Sequence, residues 1–163
     1  MPTPSATTDA DLALAAELGQ QLRVDSVRSS TSAGSGHPTS SMSAADLMAV
    51  LLHECLTAAD QLARNGISAR VIDLYSVKPV DTATLTEAAA ATGGRLVIAE
   101  DHHPEGGLGC AVVDALVGAG QTGLAVAHLA VREMPGSGTT AELLDAAGID
   151  AAHIAAAARG LLG

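Results

Sequence analysis

The chain has 163 residues, enough for about one domain with a single core. Its formal charge of −10 repels phosphate backbones, and an aromatic content of 1% leaves nothing to stack bases, so nucleic acid is excluded as a partner. Cys55 and Cys110 are too few and too far apart for a disulfide framework or a zinc site, and both fall in helical patterns where cysteine behaves as a small buried apolar residue.

The opening MPTPSATTDA lacks a basic or apolar leader pattern, and no stretch reaches membrane-spanning length. A soluble, reducing, cytoplasmic setting is expected. With no Trp, no Phe and Tyr75 as the single aromatic, the core must be built from Leu, Val, Ile and Ala.

Residues 1–10 read as an unstructured tail of Pro, Ser and Thr. From Asp11 the pattern turns helical, with Leu14, Leu18 and Leu22 on one face as far as about Ser29. Residues 29–40, SSTSAGSGHPTS, are dense in small polar residues and read either as a connector or as a ligand loop carrying His37. Ser43-Ala-Ala-Asp46 has the spacing of a capping box. Behind it Leu47, Met48, Leu51, Cys55, Ala59 and Leu62 recur at helical steps, which predicts one helix of about 20 residues ending before Gly66.

Ala69–Tyr75 is rich in Val, Ile and Leu and predicts a strand closed by Ser76–Pro79. Asp81 is placed to cap a helix bearing Leu85, Ala88 and Ala89, which Gly93 and Gly94 terminate. Arg95–Glu100 predicts a second strand, so the two strands and the intervening helix make a βαβ unit. Gly109–Ala119 then reads as a helix with Cys110, Val113, Leu116 and Val117 facing the core. Leu124–Val131 predicts a third strand. Thr139-Thr-Ala-Glu142 is a second capping-box pattern, opening a helix with Leu143, Leu144 and Ala147. A last helix is expected over about Asp150–Leu162, with Ile154, Ala158 and Leu161 inward. The expected fold is α/β: a small, mostly parallel sheet of about three strands within three layers, preceded by N-terminal helices.

Two clusters carry possible chemistry. Gly106-Gly-Leu-Gly109 follows a strand and opens a helix, the place where dinucleotide folds seat phosphates, although close helix–sheet packing explains the same glycines. Glu100-Asp-His-His-Pro-Glu105 sets imidazoles and carboxylates at the end of a strand, as metal ligands or as a polar loop making caps and hydrogen bonds. His128 reads as a satisfied core or edge histidine and His153 as a helix-surface residue.

Two long stretches resemble a known family. Leu22–Leu51, LRVDSVRSSTSAGSGHPTSSMSAADLMAVL, is similar to the opening of a transketolase, and His53–Gly163 resembles the C-terminal domain of the same family through HECLTAADQL, ARVIDLYSVKP, EDHHPEGGLG and HLAVREMPGSGTTAELLDAAGID. The resemblance divides the chain into the tail, an N-terminal helical segment over residues 11–52 and a C-terminal α/β domain over 53–163, with a seam near Leu52–His53. It implies two-carbon ketol transfer between sugar phosphates, using thiamine diphosphate and a divalent metal such as Mg²⁺.

The family's metal-binding Gly-Asp-Gly motif does not occur here. The middle domain, which carries the glutamate that activates the cofactor, has no counterpart either. The resemblance therefore implies an internally shortened transketolase that binds no thiamine diphosphate or metal by itself and is inactive alone. His37 is the residue onto which a catalytic, substrate-binding role carries over, with Ser40 a substrate-binding neighbour. Two other functions stay open. One is a non-catalytic module that pairs with itself or with a full-length transketolase through exposed sheet edges. The other is a small nucleotide-binding domain resting on Gly106–Gly109.

Overall fold

A computed structural model describes residues 9–33 and 38–163. Two compact units are present, Met1–His53 and Glu54–Gly163.

In the first unit, α1 spans Asp9–Ala33. Leu18 and Leu22 are half-buried along the face expected for them, whereas Leu14 is 41% exposed. The helix runs four residues beyond Ser29, so the polar stretch after it is shorter than its composition suggested. Helix α2 is a single 26-residue element, Pro38–Ala63. Its first residue is Pro38 and not a residue near Ser43: proline has no N–H to lose in a first turn and its φ is already helical. Ser43–Asp46 thus lies inside the helix, and the capping box read there does not form its start.

The second unit is a three-layer α/β arrangement. Helix α3 (Thr82–Ala91) leads to strand β1 (Arg95–Ala99), helix α4 (Leu108–Gly118), strand β2 (Ala125–Leu129), helix α5 (Thr140–Ala147) and helix α6 (Ala151–Gly160). The strands pair in parallel, with Arg95 beside Ala125, Ile98 beside His128 and Ala99 beside Leu129. Strand geometry alternates the side chains between the two faces. Val97, Ala99 and Leu129 meet Ala58 and Leu62 of α2 and Ile154 and Ala155 of α6 on one face. Leu96, Ile98 and Val126 meet Leu85 and Ala89 of α3 and Val112 and Leu116 of α4 on the other.

The caps arise from sequence chemistry. Asp81 accepts hydrogen bonds from Thr84 N–H at 3.0 Å and from Thr84 Oγ1–H at 2.8 Å, starting α3 as expected. Thr139 and Glu142 close a full capping box on α5, with Thr139 N–H donating to the Glu142 carboxylate at 2.8 Å. Gly94, between α3 and β1, has φ +78°, and a Cβ there would lie 2.6 Å from the Gly123 carbonyl oxygen, so only glycine fits.

The strand expected at Ala69–Tyr75 is not formed, and among the described residues the sheet has two strands where about three were expected. Burial still alternates through the segment: Ile72 and Leu74 are half-buried, Asp73 and Tyr75 exposed. Ile72, Leu74 and Val80 pack against the α3–α4 side of the core. These side chains reach the core while the backbone stands off from β1, leaving an open, mostly apolar groove of about 930 Å³ between them. A ladder needs backbone groups at hydrogen-bond distance, and side-chain burial alone does not supply that.

Helix α4 turns only part of its expected face inward: Leu116 is buried and Val113 packs half-buried on the same core, as expected. Gly109, Val112 and Leu116 are its buried residues, while Cys110 is exposed and Val117 is 60% exposed. The reason lies at Gly109: a Cβ there would overlap the His128 ring, so the bare face of the helix must turn inward at that residue. Cys110, one residue on, is carried outward.

Candidate functional site

The carboxyl ends of β1 and β2 and the start of α4 meet around one buried charge. Glu100, the residue after β1, is 5% exposed and is the buried charged residue among those described. Its Oε2 accepts from Leu108 N–H at 2.6 Å. Its Oε1 accepts from Gly109 N–H at 3.0 Å and from His128 Nε2–H at 2.5 Å. The first N–H groups of a helix have no partner within the helix and carry partial positive charge, so a carboxylate is the natural group to satisfy them. Gly107, the N-cap of α4, offers no side-chain cap, and Glu100 supplies one from the preceding strand.

The glycines serve this contact. A Cβ on Gly107 would collide with the Glu100 carboxylate and one on Gly109 with His128, so both positions are bare to let these side chains close on the helix. Burial pushes the Glu100 carboxyl up, but the hydrogen bonds from Gly109 N–H, His128 and Leu108 N–H, with the charge of His128, outweigh it and hold the group below the usual glutamate range. His128 is fixed in turn, its carbonyl accepting from the Arg132 guanidinium at 3.1 Å.

The turn 101–107 is tied by backbone contacts. Val131 N–H donates to the His102 carbonyl at 2.9 Å, and His102 Nδ1–H to the His103 carbonyl at 2.8 Å. His103 Nδ1–H reaches the Val131 carbonyl at 3.3 Å and Cys110 Sγ–H the Pro104 carbonyl at 3.3 Å. The stretch from Glu100 to Glu105 is therefore the cap-making polar loop, and among the described residues it brings no three potential metal ligands together. Asp145, Asp150 and His153 do lie close, with donor atoms within 4.8 Å of one another. There Asp150 Oδ1 accepts from both His153 N–H (2.9 Å) and His153 Nδ1–H (2.7 Å), which is the N-cap of α6. The same helix receives a second cap from afar, Glu54 Oε2 of α2 accepting from Ala151 N–H at 2.7 Å.

Cys55 is half-buried, and its thiol is pushed up to about 11 by burial and by the charges of Glu54 and Asp73, so it stays protonated. Cys110 does not behave as the buried apolar residue expected of it.

The catalytic residue expected from the sequence, His37, lies outside the described residues, as do residues 1–8 of the expected tail. Ser40 lies within the first turn of α2, and its side chain is outside the described set. Sequence reasoning missed the Glu100–His128 pair. The signal was present in the strand register: a parallel pair that sets Ile98 beside His128 brings the residue two positions beyond Ile98 within reach of that imidazole.

A diphosphate at the glycine-rich turn would need the N–H groups of Leu108 and Gly109, and an internal carboxylate already holds both. Its negative charge would also repel a phosphate. The described residues at this turn fit neither a nucleotide nor thiamine diphosphate.

Residues 48–154 match the family described as transketolase, C-terminal domain. Among curated proteins the chain is 50% identical over 105 residues to transketolase-like protein 1 of Bos taurus, covering 64% of this chain and 17% of that protein. It is 48% identical over 113 residues to human transketolase, covering 69% of this chain and 18% of that protein. Among solved structures it is similar to a split-gene transketolase in its inactive beta4 tetramer, with a TM-score of 0.60 and 35% identity over 69% of this chain and 35% of that one. The chain thus spans less than a fifth of the curated relatives it matches, and within that span it belongs to the transketolase C-terminal domain family.

Proposed function

We propose that this chain is an internally shortened transketolase polypeptide, which serves ketol transfer between sugar phosphates only together with the parts that hold thiamine diphosphate and its divalent metal. One observation carries this reading. The matched residues are those of the C-terminal domain, and the glycine-rich helix start within them gives the N–H groups of Leu108 and Gly109 to the Glu100 carboxylate, whose charge repels a diphosphate. The family's cofactor supplies the carbanion chemistry, and no step of it is assigned to residues of this domain. Residues 11–52 keep the opening of the family and 53–163 its last domain. His37 is the one residue we assign to substrate in an assembled enzyme, with Ser40 beside it.

The test is isothermal titration of the purified chain with thiamine diphosphate and Mg²⁺, together with a ketol-transfer assay. The expected result is no turnover and no micromolar binding. Micromolar binding with turnover by the chain alone would overturn the proposal.

A second reading, as a non-catalytic module that pairs with itself or with a complete transketolase, is favoured by the sheet. Among the described residues each strand has one neighbour, so each leaves an edge unpaired, and unpaired edges recruit other strands. The split-gene relative forms a beta4 tetramer. Sedimentation of the isolated chain decides: a strictly monomeric folded species that also ignores added transketolase argues against pairing. We place the assembled activity in the cytoplasm, as the homologous transketolases suggest; among the described residues no helix is long and apolar enough to cross a membrane.

A further inference from the structure

We propose that Glu100 is an acid-released latch: its ionised carboxylate ties the end of β1 to the first turn of α4 and to β2, and its protonation frees the turn 101–109 while the β1–β2 ladder stays closed. The geometry is what argues for it. Every group aimed at the carboxylate is a donor: Leu108 N–H and Gly109 N–H from α4, and His128 Nε2–H from β2. The remaining titratable neighbour is His102 of the turn, whose Nδ1 sits beside Gly107 and donates to a backbone carbonyl instead. An ionised carboxylate accepts from all three donors; a protonated one places an O–H against them with no acceptor to receive it. The cage therefore accepts one charge state of Glu100 and rejects the other.

Release stays local because of what holds the neighbours. The ladder is secured independently by Ala125 N–H donating to the Gly94 carbonyl at 2.8 Å, at the opposite end of the strands. The body of α4 is held by Val112 and Leu116, 3% and 0% exposed. By contrast the turn is exposed at Asp101, His102, His103 and Glu105, and apart from Glu100 it is tied by contacts within itself and by two hydrogen bonds to the backbone of Val131. Since the folded carboxyl lies below the usual glutamate value of 4.5, the latch is fully set above that pH and opens as pH falls through the lower folded value.

The experiment is an NMR pH titration of the full chain, monitoring the Glu100 carboxyl carbon, the amides of Leu108 and Gly109, and the amide of Ala125. The expected result is one shared midpoint below pH 4.5 for the carboxyl and the two α4 amides. Exchange protection at those amides, corrected for intrinsic rates, should fall between pH 4.5 and that midpoint, by at most about tenfold per pH unit, and level off below it, as linkage to a single proton requires. Ala125 should keep its protection through that midpoint. In Glu100→Gln, whose amide keeps one acceptor oxygen and sets an N–H against the donors at the other, both amides should lose the titration step and at least one its protection at neutral pH. Separate midpoints for the carboxyl and the amides, an unchanged step in Glu100→Gln, or loss of Ala125 protection at the same midpoint would each overturn the latch. Should the variant not fold, the shared midpoint in the unaltered chain still decides.

Discussion

Residues 72–76 alternate half-buried and exposed side chains, whereas residues 96–99 are buried or half-buried on both faces, and only the second stretch is a strand. Leu96 and Ile98 reach one core cluster and Val97 and Ala99 the other, and the backbone between them is paired with β2. Ile72 and Leu74 enter the first of these clusters as well, but an apolar groove separates their backbone from β1. The difference lies in the residues at the C-terminal end of each stretch. After β1, Glu100 fastens the chain to α4 and to β2, and Glu100 N–H donates to the Leu129 carbonyl at 3.0 Å. After residues 72–76 comes a turn closed within itself, Ser76 Oγ–H donating to the Pro79 carbonyl at 2.9 Å. Pattern brings a segment to the core, and a backbone partner makes it a strand.

Substitutions sharpen that contrast. The largest effect is expected at Glu100→Ala, which leaves two N–H groups and an imidazole without their acceptor and should cost on the order of 3–5 kcal/mol in urea unfolding at neutral pH. Ile98→Ala empties a buried position in the paired strand and should cost about 3 kcal/mol by the same measurement. Leu74→Ala removes a half-buried side chain from the unpaired segment, with an expected loss of about 1 kcal/mol. Tyr75→Ala, at a residue 73% exposed, should stay within about 0.5 kcal/mol of the parent. A loss at Leu74 equal to that at Ile98 would erase the distinction between the two stretches.

Much of the fold was legible in the amino-acid order because its signals are local. Asp81 and Thr139 cap within three residues of themselves, Gly93 and Gly94 stop a helix where they stand, and Ile154 and Leu144 declare buried faces by spacing. The failures are the long-range facts. The Glu100–His128 pair spans 28 positions and exists only once the strand register is set. In α4, Val113 and Leu116 pack on the core as expected, while Cys110 and Val117 do not, because the constraint that sets the rotation is a histidine ring pressed on Gly109. The strand at 69–75 was misread for the same reason: its partner is not written in its own residues. The resemblance of His53–Gly163 to the family's C-terminal domain rested on long motifs and agrees with the match over residues 48–154.

The central claim, that pairing and the Glu100 tie distinguish one apolar stretch from the other, is tested most directly by native-state amide hydrogen exchange at neutral pH. Protection factors of about 10³ or more are predicted at Glu100 and Ala125, whose N–H groups are held in and beside the ladder, and below about 10² at Ile72, Asp73 and Leu74. Equal protection at the two sets of amides would show residues 72–74 paired as a third strand and would contradict it.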